Sequence, residues 1–133
     1  MGFKELVEEA SSILGIKYEY SEEKNLYSIN MEFDNDEKQT IIVYQDIFED
    51  EDEGVSKKII VCESFVGKYD SSKNINFLSK SNNDLFFAKA YISEDNDKIL
   101  VENCSFMEAL NPLNLSIIIN EIGEHSFYLK EKL

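Results

Sequence analysis

The sequence contains no arginine and no tryptophan, and it has one proline, one histidine, two cysteines and five glycines in 133 residues. Without arginine there is no planar guanidinium group to bind phosphate or carboxylate in a bidentate manner. Without tryptophan the chain lacks the usual aromatic platform for a sugar, so its many carboxylates do not indicate a glycosidase. The glycines are not clustered, which excludes a phosphate-cradling loop.

Long apolar runs are also missing. None approaches the roughly 18 residues that a membrane-spanning helix requires. Residues 1–5 turn acidic at once and contain no signal-peptide core, and Leu6 stands where a myristoylation motif has serine or threonine. We therefore expect a cytoplasmic protein.

Negative charge is abundant: 27 aspartates and glutamates oppose 13 lysines, for a net charge of −14. Such a surface repels phosphate backbones and anionic lipid headgroups, which argues against nucleic acid and membranes as partners. The hydrophobic share of 43% is that of a globular protein. Its length is that of one domain, and we expect residues 1–133 to form a single one.

The first third of the chain has clear periodicity. A helical spacing of apolar residues predicts a first helix that ends at Gly15, with glutamates on its outer face. Residues 16–20 read as a short strand, and residues 27–33 alternate between apolar and polar as in a strand with one buried face. The apolar residues of the helix are Phe3, Leu6, Val7, Ala10, Ile13 and Leu14.

The next two strands, at residues 41–48 and 59–66, carry apolar side chains on both faces. Between them, residues 49–54 form an acidic hairpin tip. A strand that is apolar on both faces is normally covered twice. We expect helices on one face and further helices, a second subunit or a partner protein on the other.

The second half predicts a short helix from Asp70, with Asp70, Ser71 or Ser72 as its cap, and a stop at residues 82–84. Strands at 85–92 and 98–104 follow, joined by a turn at 93–97. The small residues Ala88 and Ala90 indicate close packing of a helix. The sequence thus predicts an α+β fold, an antiparallel sheet flanked by helices in the order α-β-β-β-(β)-α-β-β-α.

The last helix has the clearest start, because Asn111 is a suitable N-cap and Pro112 suits the first helical position. One apolar stripe runs along it, and three further large residues lie off that stripe. The stripe consists of Leu115, Ile118, Ile119, Ile122, Leu129 and Leu133, and the residues off it are Ile117, Phe127 and Tyr128.

This order of elements resembles the YbjN family and the related type III secretion chaperone fold. The resemblance rests on residues 75–78, the Asn82-Asn83 break, residues 85–91, residues 99–102 and the amphipathic C-terminal helix. It implies a non-catalytic and often dimeric protein, and the chaperones hold extended partner segments across the sheet and helix surface. Four strands before the second helix, against three in secretion chaperones, favour the YbjN side.

No cofactor or metal site is predicted. The acidic tip does not match an EF-hand, since counting from Asp50 places Gly54 at position 5 and Val61 at position 12. A solvated turn that protects the sheet from edge-to-edge aggregation explains it better.

The sequence offers no activated nucleophile either. His125 shares the phase of the C-terminal apolar stripe and is expected at the rim of the core. Cys62 and Cys104 lie in apolar segments and are expected to be buried free thiols. A Cys–His pair between Cys62 or Cys104 and His125 is formally available to a hydrolase, but nearby negative charge, such as Glu102 before Cys104, raises a thiol pKa rather than lowering it.

The surplus of apolar surface therefore carries the functional prediction. We predict a non-enzymatic protein-binding domain, chaperone-like or regulatory and homodimeric, that holds an apolar or basic partner segment on its sheet and C-terminal helix. The alternatives are an acidic inhibitor or immunity-type protein that blocks a basic partner by charge, or a thicker core that hides this surface. The candidate binding residues are Ile42, Tyr44, Phe48, Ile60, Ile117, Phe127 and Tyr128.

Overall fold

The computed structural model describes residues 1–95 and 97–133, so part of the predicted turn at 93–97 lies outside the described residues. Its α-helices are α1 (Phe3–Leu14), α2 (Ile75–Ser81) and α3 (Pro112–Lys132). Its strands are β1 (Tyr18–Ser21), β2 (Leu26–Glu32), β3 (Lys38–Asp50), β4 (Val55–Lys68), β5 (Lys89–Ile92) and β6 (Lys98–Phe106). They form one antiparallel sheet in the order β1-β2-β3-β4-β6-β5. The predicted α+β class is confirmed, with four strands before α2.

Helix α1 ends as predicted, because Gly15 adopts a left-handed conformation with φ 67° and its N–H bonds to the carbonyls of the last turn. Two details differ from the prediction. Ile13 is 53% exposed and lies off the buried stripe, whereas Leu14 packs against the core. Glu8 is turned toward the sheet, where it accepts a hydrogen bond of 2.6 Å from the Tyr27 hydroxyl.

One face of the sheet forms the core. On β2 the predicted alternation is confirmed: Tyr27, Ile29 and Met31 are buried. The same face continues across β3, β4 and β6 at alternate residues, and α1 and α3 pack over it. Its members on those strands are Ile41, Val43, Ile60, Cys62, Ile99 and Val101.

Helix α3 begins with a capping box. The Asn111 side chain accepts the Asn114 N–H and the Asn114 side chain accepts the Asn111 N–H, each at 2.8 Å. The helix lies so close to β2 that a Cβ at Gly123 would collide with the Met31 sulfur. Glycine at this position is therefore what allows α3 to approach the sheet.

The start of α2 corrects a prediction. Asn74 caps the helix and accepts the Phe77 N–H at 3.0 Å, whereas Asp70, Ser71 and Ser72 lie before it. Asp70 is already engaged, because its carboxylate accepts a 2.8 Å hydrogen bond from the Ser72 N–H within the preceding turn. The helix consequently begins one turn later than expected.

The fifth strand is also shorter than predicted, since β5 begins at Lys89 rather than at Leu85. Residues 86–88 leave the sheet because the Glu121 carboxylate of α3 accepts their three N–H groups at 2.8–3.0 Å. Ala90 confirms the close approach of a helix: Asn82, at the end of α2, bonds to both its N–H and its carbonyl.

Candidate protein-binding surfaces

The second face of the sheet, opposite α1 and α3, is the first candidate surface. Side chains alternate along a strand, so the neighbours of the buried residues on β3, β4 and β6 point away from the helices. We call this surface the open sheet face. It comprises Ile42, Tyr44, Phe48, Ile59, Val61, Glu63, Phe65, Leu100, Glu102, Cys104 and Phe106.

Aromatic side chains stand at both ends of the open sheet face. Phe48 and Phe106 are each 44% exposed and meet edge to face, with ring centroids 5.9 Å apart. At the other end Phe65 is 51% exposed, and the Lys98 ammonium lies 5.9 Å from its ring centroid. Exposed aromatic rings held on a rigid strand framework are typical of protein-binding surfaces.

Two carboxylates lie at the centre of this face. Glu63 of β4 and Glu102 of β6 are direct cross-strand partners. Burial and the neighbouring Glu102 raise the pKa of Glu63. Like charges at such positions destabilise a sheet. Among the described residues no lysine nitrogen lies within 4.0 Å of either carboxylate.

Hydrogen bonds hold the Glu102 carboxylate in place. It accepts the Tyr91 hydroxyl at 2.9 Å and the Cys104 thiol at 3.7 Å. Burial and Glu102 raise the pKa of the Cys104 thiol to about 11. This thiol is therefore not activated as a nucleophile.

The two cysteines have different environments. Both are free, and Cys62 is buried as predicted, where burial raises its thiol pKa. Cys104 is exposed, which corrects the prediction, because its strand position points to the open sheet face and not to the core.

A second apolar surface lies beside α3, and we call it the α3 ridge. It consists of Phe86, Ile117 and Tyr128, which are 89%, 46% and 42% exposed. The three hydrogen bonds from residues 86–88 to Glu121 fix the backbone that carries Phe86. An exposed ring is thus held on an ordered backbone, and these residues line an open groove of about 500 Å³.

The candidate residues from the sequence divide among separate places. Ile42, Tyr44 and Phe48 lie on the open sheet face, and Ile117 and Tyr128 lie on the α3 ridge. Because α3 packs on the other side of the sheet, these two groups do not form one continuous surface.

The remaining two candidate residues are largely occupied by the protein itself. Ile60 is fully buried, because it pairs with Gln45 and points toward the helices. Phe127 stacks on Phe33, with ring centroids 4.0 Å apart and planes 4° apart. Sequence reasoning missed Phe65 and Phe106, although Phe65 follows Glu63 by two residues and so shares its face.

His125 lies at the rim of the core, as expected. It is 9% exposed, its Nε2 is 3.1 Å from the Ser81 hydroxyl, and burial lowers its pKa. In residues 1–95 and 97–133 no group of three or more His, Cys, Asp or Glu side chains is placed to hold a metal ion. Over the same residues no helix is long and apolar enough to cross a membrane.

Comparison with solved structures finds a similar fold in the Yersinia pestis type III secretion chaperone SycH, crystallised in complex with a stable fragment of YscM2. The two chains are 15% identical, and the match has a TM-score of 0.60 and covers 96% of this chain and 99% of the other. No protein-family model matches the sequence, and no curated protein matches it. The expected secretion-chaperone fold is confirmed, while the closer relationship to the YbjN family remains a prediction.

Proposed function

We propose that this protein is a non-enzymatic, chaperone-like or regulatory domain that holds an apolar segment of a partner protein on its open sheet face. The observation that carries the proposal is an uncovered sheet face with Phe48, Phe65 and Phe106 exposed on it. Transfer of those rings out of water upon binding supplies the favourable free energy. The fold adds support, because SycH was crystallised with a fragment of another protein.

The open sheet face suits an extended segment. At the centre of the face, around Glu63, the strands are paired on both sides, so a partner segment there must lie across their side chains, as one sheet packs on another. Near Phe48 and Phe106 the pairing is one-sided, because residues 45–50 of β3 and residues 103–106 of β6 pair with β4 alone. Specificity at the centre then resides in side-chain contacts, whereas the end of the face also offers strand edges for backbone hydrogen bonds.

A peptide library displayed on phage tests this function. We expect the wild-type protein to enrich apolar peptides that a Phe48→Asp/Phe106→Asp variant does not retain. Ile13→Asp is the control, because Ile13 is at least as exposed as the two phenylalanines but lies on α1, away from the face. Equal retention by wild type and the double variant would contradict the proposal.

Salt distinguishes this function from the acidic inhibitor predicted as its alternative. A partner held by apolar contacts stays bound at moderate salt, whereas a partner held by the charges of residues 49–53 is released. Neutralising Glu49 and Glu53 to glutamine is therefore expected to leave binding of the selected peptides unchanged. Release by salt together with loss upon this neutralisation would favour the inhibitor.

We also propose that the α3 ridge joins two copies into a homodimer. Its support is the hydrogen bond from the Phe86 N–H to Glu121, which orders the backbone under the exposed ring, since a preformed apolar contact loses little entropy on association. Light scattering is expected to give a mass near twice 15.4 kDa, reduced to the monomer by Ile117→Asp/Tyr128→Asp and unchanged by Ile13→Asp. A monomeric wild type would refute the dimer but not the use of the open sheet face.

A cytoplasmic location is part of the same proposal. The exposed, unpaired Cys104 supports it, because free surface thiols persist in reducing compartments. Cell fractionation with an antibody against the chain tests it, and recovery with a secreted or membrane fraction would contradict it.

A further inference from the structure

We infer that the partner segment on the open sheet face carries a lysine or arginine that binds between Glu63 and Glu102, with apolar residues on both sides of it. The inference rests on the proposed function and names the chemistry of its partner. Glu63 and Glu102 are directly opposed at the centre of a face whose two ends are aromatic.

In the described residues neither carboxylate forms an ion pair, although Lys98 lies near enough to Glu63 to lower its pKa against the larger effects that raise it. Lys89 and Lys98 are the lysines of the neighbouring strand positions, and neither forms an ion pair within 4.0 Å with Glu63 or Glu102 in the described residues. Lys98 lies instead over the Phe65 ring and Lys89 over the Tyr91 ring. A cation from a partner would replace repulsion between the two glutamates by two attractive interactions.

Charge complementarity also argues against a second copy of this chain on the same face. A symmetric dimer centred on this pair would bring the same two carboxylates of the second copy beside carboxylates that already repel each other. A basic partner segment is attracted by the same field and is steered toward the protein.

The residues beside Glu63 on the open sheet face indicate which kinds of residue flank the basic residue of the partner segment. Along β4, Phe65 lies two residues from Glu63 on one side, about 7 Å away. On the other side Val61 is only 4% exposed, and the exposed rings are those of Phe48 and Phe106 at the end of the face. An extended partner segment repeats its side chains at the same interval. It therefore carries apolar residues at every second position on both sides of the basic residue.

Binding of the basic residue should depend on pH. The groups that face the pair are Tyr44 and Asp46 from β3, Lys89 and Tyr91 from β5, and Lys98 and Cys104 from β6. Burial and the adjacent Glu102 raise the pKa of Glu63, so Glu63 takes up a proton at a higher pH than an ordinary glutamate does. Protonation removes the charge that attracts the cation, and affinity should therefore fall toward acidic pH.

The experiment uses fluorescein-labelled peptides with apolar residues at alternate positions and serine between them. One has lysine at its centre, and its matched control has norleucine, which keeps the length and removes the charge. Fluorescence anisotropy at neutral pH is expected to show the lysine peptide bound about tenfold more tightly than the control. Glu63→Gln/Glu102→Gln should abolish this preference, whereas Glu49→Gln/Glu53→Gln, which removes the same charge at the hairpin tip, should retain it.

The other outcomes separate this inference from the proposed function. If wild type binds both peptides equally and Phe48→Asp/Phe106→Asp binds neither, the role of the basic residue is refuted and the proposed binding face is supported. If wild type binds neither peptide, both are overturned. If Phe106→Asp converts a dimer into a monomer, a second copy covers this face and the inference is wrong.

Discussion

At the scale of single residues, the feature that most needs an explanation is the Glu63–Glu102 pair, because two like charges at paired strand positions destabilise the folded state. Two glutamates face each other across neighbouring strands, although a polar and uncharged pair would fit the same positions. Natural sequences often retain such a local conflict where function requires it. Its effect on stability can be measured without knowing the partner.

Replacing Glu63 by glutamine should stabilise the protein at neutral pH. The pKa of Glu63 is raised in the folded state, so the folded state disfavours the ionised form, and the free energy of unfolding falls as pH rises through that pKa. Glu63→Gln removes this fall and should add about 0.5 kcal/mol at pH 7, a small value because the group remains partly exposed to water. Urea unfolding at several pH values measures it, and Glu53→Gln, at an exposed turn position, is the control. If the free energy of unfolding depends on pH in the same way in wild type and in Glu63→Gln, the glutamate pair does not destabilise the folded state.

Cys104 provides a second test of the same electrostatics. Its thiol is exposed but has a pKa of about 11, raised by burial and by Glu102. A thiol reagent such as iodoacetamide should therefore modify it slowly at pH 7, faster as pH rises, and faster in Glu102→Gln. Cys62, buried in the core, should react only after unfolding. Rapid modification of Cys104 at neutral pH would contradict a raised pKa of this thiol.

The sequence could not assign every residue to its face. Ile59, Ile60, Val61 and Cys62 form an unbroken apolar run, so no alternation distinguishes inward from outward positions. The pairing of β4 with its neighbours assigns each residue to a face of the sheet. Ile60 lies opposite Gln45 and is buried, whereas Ile59 lies opposite Phe106 and faces outward. The incorrect placement of Ile60 on a binding surface follows from this ambiguity.

At the scale of elements, α3 shows which features are encoded locally. Its start was predictable because the Asn111 cap and Pro112 act within one turn.

Asn111→Ala should destabilise the protein by about 1 kcal/mol, since it removes one of the two 2.8 Å bonds of the capping box. Asn111→Asp should restore most of the loss. Thermal unfolding measures both, and no loss in the alanine variant would show that the box contributes nothing.

The segment before β5 shows what is encoded at a distance. Its geometry depends on Glu121, which accepts N–H groups that lie 33–35 residues earlier in the chain. The local sequence predicts one strand over residues 85–92, because no nearby residue indicates that the Glu121 carboxylate of α3 binds residues 86–88 and holds them away from the sheet.

Removal of the Glu121 carboxylate should therefore release this segment. In Glu121→Ala we expect faster amide hydrogen exchange at Phe86, Phe87 and Ala88 and a weaker homodimer, because the exposed Phe86 ring loses its fixed support. Glu124→Ala, one turn further along α3, is the control. Unchanged exchange would show that the three bonds do not hold the segment.

At the scale of the whole molecule, charge and apolar surface have separate roles. A net charge of −14 opposes association through the exposed aromatic residues and attracts basic segments. The order of helices and strands was sufficient to predict the fold, since it depends on periodicity and turns. The division of the binding residues into two surfaces was not predictable, because it follows from which side of the sheet α3 covers.

The most direct test of the account is amide chemical-shift mapping by NMR with the lysine-centred peptide. We expect the largest shifts at Ile42, Tyr44, Glu63, Leu100 and Glu102, on the open sheet face, and none at Ile117 or Tyr128. Shifts concentrated on the α3 ridge, or no shifts at saturating peptide, would contradict the claim that the open sheet face is where this protein holds its partner.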